Sequence, residues 1–323
     1  MIDSPVSRRR FLATLGLASV PFAGCSGTGS ESEWVLVDTP TDATLTDVVT
    51  ASTGTFAVGE GGVVLRRGRE MWSIALADGP TGAQNGLESA DVTSNGRVVW
   101  FAGDSGALGA YDTVDETVLD VSAPEGWTSS WEALAVTGLA GGERLFLINS
   151  SGAFLRGRRD GSDVEWREPT EPGTGTSVAA MAVTPLEYGY VCDTSGDVYE
   201  SADAGETWTR IGIEGASVNF HDVSAVDSGH VDVAGGDGVV YRYDGGEWSR
   251  TVIGEDPIRA IARDRYDALV VDSLGRISER TFDGWVELDR VDTGNEPLGI
   301  ALGTPRTPQV VVGESGTVLE RRY

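Results

Sequence analysis

Short apolar segments interrupted by glycine-bearing turns recur along nearly the whole chain. FAVGEGGVVL, WFAGDSGALGAY, LFLINSSGAFL, YVCDTSGDVY, VDVAGGDGVVYRY, LVVDSLGRIS and VVVGESGTVL each read as strand, turn, strand. The last turn glycines are Gly62, Gly106, Gly152, Gly196, Gly238, Gly275 and Gly316, spaced 44, 46, 44, 42, 37 and 41 residues apart. Alternating apolar and polar positions rich in Val, Ile, Tyr and Phe, at a period of about 40, predict propeller blades rather than helical repeats. Each turn glycine is expected to supply a positive φ that other residues adopt only at a cost.

A further strand is predicted on either side of each hairpin. Upstream, small residues recur two apart at Ala133 and Ala135, Ala180 and Ala182, Ala260 and Ala262, and Gly299 and Ala301, as inner strands crowding a central axis require. Downstream, Trp72, Trp166, Trp208, Trp248 and Trp285 follow their turn glycines by 10 to 14 residues, and the second repeat has TVLDV at 117–121 instead. The seventh repeat ends at Tyr323, before such a strand can form, whereas SEWVLVDTP at 32–40 reads like GEWSRTVIG at 246–254. The pattern therefore predicts an all-β, seven-bladed β-propeller with four-stranded antiparallel blades, its ring closed by residues 32–40 completing the last blade.

SADAGETW at 201–208 matches the S-x-D-x-G-x-T-W pattern of the Asp-box or BNR repeat, a turn between the third and fourth strands of a blade. Ser201 and Asp203 are expected to bond turn amides, Gly205 to adopt a left-handed conformation, and Trp208 to pack into the blade. YDGGEW at 243–248 and FDGW at 282–285 are eroded versions. Over nearly the whole chain beyond the leader, the sequence resembles bacterial and archaeal BNR-like propellers, including those similar to the photosystem II assembly and stability factor. That resemblance implies a structural role for the Asp-box and a binding or assembly scaffold. An alternative it leaves open is a diverged sialidase-like or other carbohydrate-active enzyme, although no arginine-containing F/Y-R-I-P start motif is present. No catalytic residues are assigned.

Ahead of the repeats, SRRRFL at 7–12 and the apolar run to FAGC at 22–25 resemble a twin-arginine signal, with Arg8 and Arg9, ending in a lipobox at Cys25. Phe22 stands where leucine is usual. Residues 1–24 are thus expected to be a lipoprotein signal peptide, 25–31 a flexible tether, and 32–323 the propeller, exported folded and held on the extracellular face of the membrane by lipid on Cys25. Composition fits such a site. The net charge is −26, becoming −28 once the leader is removed, and all 24 basic residues are arginine. This acidic, lysine-free chain resembles halophilic archaeal proteins, in which molar salt screens self-repulsion. It offers nucleic acid no basic patch, its two histidines exclude a multi-histidine metal site, and no cofactor is expected. Cys192, inside YVCD, reads as a small buried hydrophobe. The partner expected is a protein, bound by a monomeric propeller.

Two sets of residues are candidates for that contact. Glu60, Asp104, Asp193, Asp237, Asp272 and Glu314 lie in six of the seven hairpin turns and are expected to ring one mouth of the channel. They would attract a cation or a basic segment of a partner, or simply solvate the turns. Asp47 and His221 align with the small inner-strand residues and are expected to face the channel or to bond nearby backbone.

Overall fold

The segments flanking each turn glycine pair as antiparallel strands, because their alternating apolar side chains leave water only when strands lie side by side in a stacked sheet. The structure, a computed structural model, describes residues 32–322 except 174–176, 214–215 and 217. Arg8, Arg9, Cys25 and the tether lie outside the described residues. Those described form seven four-stranded sheets, each ordered consecutively from its first strand outward. Blade 1 comprises Leu45–Ala51, Gly54–Gly59, Val64–Arg67 and Trp72–Leu76. The first strands of blades 2 to 7 are Leu87–Val92, Trp131–Thr137, Val178–Val183, Phe220–Asp227, Ile258–Arg263 and Pro297–Ala301. These pack side by side around the ring, with blade 7 against blade 1. No helix among the described residues is long and apolar enough to cross a membrane.

Blade 7 is completed as the sequence predicts. Its third strand, Val318–Arg322, pairs antiparallel with Glu33–Leu36, placing Trp34 opposite Arg321 and Leu36 opposite Leu319. The strand is shorter than residues 32–40: after Val37, whose amide donates to the Val318 carbonyl at 3.0 Å, the chain turns toward blade 1. Trp34 is buried with Ile277, Ile300 and Leu319 between blades 6 and 7. Trp166 ends its strand, Asp163–Trp166, whereas Trp72 and Trp248 begin theirs.

All seven turn glycines have φ between 68° and 93°. Space as well as conformation demands glycine at Gly316, where an added Cβ would lie 2.0 Å from the Thr41 carbonyl oxygen. The core is divided into seven apolar clusters, one in each seam between neighbouring blades. The seam between blades 5 and 6 has the fewest buried apolar residues, Ala234, Val240, Ile258, Ile261 and Val270. It also holds the buried ion pair Arg263–Asp232, with Nη1 2.9 Å from Oδ2. The pair is off-line for a hydrogen bond. Burial, only partly offset by the partner, lowers the Arg263 pKa and raises that of Asp232.

Candidate functional site: the channel mouth

Each hairpin turn between second and third strands lies on the same face as the connections between blades, hereafter the turn face. The first strand of every blade starts there, and in all seven blades its ladder slips by one residue just after the start. The residues skipped by these bulges are Thr46, Glu88, Glu132, Ala179, His221, Arg259 and Leu298, and all seven line a central cavity of about 520 Å³. A bulge leaves one residue unpaired and re-aims its side chain. Here it builds a variable outer row at the mouth.

That row is electrostatically lopsided. On the side of blades 1 to 3, Glu88 and Glu132 stand near Glu60 and Asp104. Burial, then Asp104, Glu132 and Glu60, raise the Glu88 pKa; burial and Asp104 raise that of Glu132. Across the mouth Arg259 donates to Glu296 and lies 3.3 Å from His221 Nδ1. Burial, followed by the Arg259 charge, holds the His221 pKa below its ordinary value.

One level deeper, the residues after the bulge include Asp47, Ser89, Ala133, Ala180, Asp222, Ala260 and Gly299. Asp47 therefore sits level with the small residues as expected, but His221 does not. The bulge displaces His221 to the outer row, and Asp222 takes the inner position. Asp47 Oδ1 accepts from its neighbour Val48 N at 2.7 Å, while Oδ2 accepts from Ala90 N of the next blade at 2.8 Å. Asp222 repeats the arrangement with Val223 N and Ile261 N, and Asp91, two residues farther along blade 2, does so with Val92 N and Val136 N. Three carboxylates thus fasten adjacent inner strands together. Burial outweighs the amide donors and raises Asp47 to about 6, Asp91 to about 7 and Asp222 to about 7.

The six turn carboxylates occupy three different turn positions rather than one ring. Glu60, Asp104 and Glu314 are exposed at the second position; their own amides donate to the carbonyls of Thr44, Gly86 and Glu296, just before the first strand of the same blade. Asp193 and Asp272 come one position earlier and are buried, with Oδ1 accepting from the amides of Ser195 and Asp197, and of Leu274 and Arg276. Asn149 does the same in blade 3. Asp237 comes one position later and accepts from Tyr241 Oη at 2.7 Å. The exposed acidic surface at the mouth is consequently Glu60, Asp104 and Glu314, joined by Glu88 and Glu132, which inspection of the turns alone misses.

The Ser201–Trp208 segment lies far from this mouth, on the opposite face. Ser201 Oγ accepts from Gly205 N at 2.7 Å, and Asp203 accepts from the Thr207 amide and hydroxyl at 2.8 and 2.6 Å. Although burial acts the other way, these donors hold Asp203 down at about 2. Gly205 has φ +81°, with room for nothing larger against Phe154, and Trp208 meets that ring edge-on at 5.0 Å. Cys192 is buried, and burial raises its thiol pKa well above the ordinary value, which disfavours the nucleophilic thiolate.

A second recess, of about 430 Å³, opens between the outer parts of blades 3 and 4 and gathers Arg144, Arg156, Arg158 and Arg167 beside Glu165 and Glu206. Its sequence trace is the run FLRGRRD at 154–160, conspicuous in a chain of this charge. No three His, Cys, Asp or Glu residues among those described are arranged to hold a metal ion.

No family model matches the chain. Over 177 residues it is 27% identical to the photosystem II assembly lipoprotein Ycf48 of Picosynechococcus sp. (strain ATCC 27264 / PCC 7002 / PR-6), a match covering 47% of this chain and 52% of that protein. The matched region thus spans about half of the curated relative. Among solved structures, Ycf48 bound to a D1 peptide superposes with a TM-score of 0.70 over 90% of this chain and 97% of that one, at 14% identity. Virginiamycin B lyase from Staphylococcus aureus reaches 0.73 over 91% and 100%, at 13% identity. The chain therefore shares the seven-bladed propeller fold of binding proteins and of enzymes alike, with local sequence similarity to an assembly factor.

Proposed function

We propose that this protein is a lipid-anchored scaffold on the outer face of the membrane that holds a segment of a partner protein across the channel mouth. The observation that carries the reading is the sequence similarity to Ycf48, a protein named as an assembly lipoprotein, together with the shared fold of the Ycf48 structure bound to a D1 peptide. The lipobox-like FAGC at 22–25 supports the anchor, and the twin-arginine pattern supports export in the folded state. The mouth supplies complementary chemistry for a basic segment: exposed Glu60 and Asp104 converge with half-buried Glu88 and Glu132 from three consecutive blades, and partial burial lets the charges of Glu88 and Glu132 act through less water than an exposed carboxylate does.

Affinity capture from membranes at fixed molar salt tests the site. The variant Glu88→Gln/Asp104→Asn/Glu132→Gln is expected to lose the co-purifying partner at least about tenfold, equivalent to about 1.4 kcal/mol. Neutralising three carboxylates on outer strands away from both sites, Asp163, Asp120 and Glu287, is expected to leave it bound. Equal loss from both sets reduces the mouth to solvation, and loss only on replacing Arg158 and Arg167 moves the docking site to the recess between blades 3 and 4.

A further inference from the structure

The exposed large apolar side chains are unevenly distributed between the two faces of the ring. Leu139, Leu186 and Tyr266 stand in turns between first and second strands, while Met71, Val114 and Phe282 stand in turns between third and fourth strands. Both kinds of turn open on the face opposite the turn face. Leu186 is 78%, Tyr266 83% and Phe282 fully exposed. On the turn face, among the described residues, Leu274 stands in a turn and Leu36 and Val252 are exposed at the ends of outer strands that finish there, while Ile74, Val118 and Val286 lie within outer strands. Six exposed apolar tips on one face against three on the other give that face the larger apolar surface available for contact.

Strand direction says what that surface meets. The third strand of blade 7, Val318–Arg322, runs away from the turn face, and Glu33 pairs with Arg322 at its far end. Arg321 Nε donates to Ser32 Oγ at 3.0 Å, fixing Ser32 at the same edge. The chain therefore enters the propeller on the face that carries the apolar tips. Seven residues from Cys25 to Ser32 reach at most about 25 Å when fully extended, which keeps this edge within that distance of a lipid on Cys25. Arg69 and Arg306 are exposed in the same turns and can meet lipid phosphates, whereas Arg265 is paired with Asp227. Exposed carboxylates such as Glu70, Asp264 and Asp283 share these turns, so the apolar tips make the contact and molar salt screens the charge.

We propose that the face opposite the channel mouth rests on the lipid surface, with Leu186, Tyr266 and Phe282 entering the interfacial layer and the acidic mouth directed away from the membrane. This orientation rests on the anchoring of Cys25, and the two are separable. Fractionation of cells expressing the full chain or its Cys25→Ser variant tests the anchor alone: wild-type protein absent from membranes overturns the anchor and this orientation with it. For membrane-bound protein, the full lipidated chain carrying Phe282→Cys or Glu314→Cys is labelled with a fluorophore and placed in anionic phospholipid vesicles bearing nitroxide quenchers, at fixed molar salt. The label at 282 is expected to be quenched severalfold more than that at 314. Equal quenching, or the reverse order, overturns the proposal while leaving the anchor intact. The variant Leu186→Ser/Tyr266→Ser, with an unchanged melting temperature, is expected to reduce quenching at 282; unchanged quenching overturns the contact role of these side chains.

Discussion

Asp47, Asp91 and Asp222 show how a single residue type solves a problem of ring construction. Inner strands of neighbouring blades diverge too steeply to share a continuous ladder, and amides facing the gap lose water when the ring closes. A carboxylate on one strand satisfies its own following amide and one on the next blade. Burial raises these groups to about 6 or 7, so between pH 8 and 5 the native state takes up protons that an unfolded aspartate does not bind. Their contribution to stability accordingly rises as pH falls through that window. Glu88 and Glu132, also raised, act in the same direction, and His221, lowered, acts against it. Subtracting a variant removes these shared effects: the unfolding free energy of wild type relative to Asp47→Asn/Asp91→Asn/Asp222→Asn is expected to increase from pH 8 to 5 in denaturant titrations at constant salt. A flat or decreasing difference refutes the assignment. Two of these residues are not legible in the sequence, each for its own reason. A bulge inserts a residue without altering the apolar pattern enough to reveal itself, so His221 aligns where Asp222 belongs; Asp91 lies outside the positions compared.

At the scale of elements, the hairpins were legible because their turns need what only glycine supplies cheaply. Gly62, Gly106 and Gly316 combine positive φ with backbone within 2.5 Å of any added Cβ, so the repeat is written in glycine even where the strands differ. The turn carboxylates were less legible, because shifting a side chain by one turn position exchanges an exposed charge such as Glu314 for a buried cap such as Asp272. The closing strand could be assigned because Trp34 repeats the outer-strand tryptophan. Its amide donates to Asp289 Oδ2 of blade 6 at 3.2 Å, and its ring fills the seam there. Replacing a buried tryptophan by alanine costs about 3–5 kcal/mol. Trp34→Ala is expected to lose that much, because it loosens the strand covering the edge at Val318–Arg322 as well as emptying the seam. Thermal unfolding at the wild-type temperature would show that this strand contributes little to closure.

For the molecule as a whole, geometry and charge pull against each other. The seven blades, residues 32–323, bring together 48 of the chain's 50 acidic residues, and the 21 arginines of the same span cannot neutralise them. Some of those arginines are committed to single carboxylates, as Arg67 is to Glu320 and Arg159 to Glu143. Unscreened, the surplus repels itself across the ring and favours opening a seam. The seam between blades 5 and 6 has the fewest buried apolar residues, and it carries the buried Arg263–Asp232 pair. Ionic strength therefore decides how far the repulsion reaches, about 30 Å at 0.01 M and about 3 Å at 1 M. Transfer from molar sodium chloride to about 10 mM is expected to unfold the propeller, as followed by loss of near-ultraviolet circular dichroism, and restored salt is expected to refold it. Salt also strengthens apolar burial, so the two causes need separating. Sucrose favours compact states without screening charge. At low salt it is expected to rescue the fold poorly, and full rescue by sucrose would assign the salt requirement to apolar burial instead of charge.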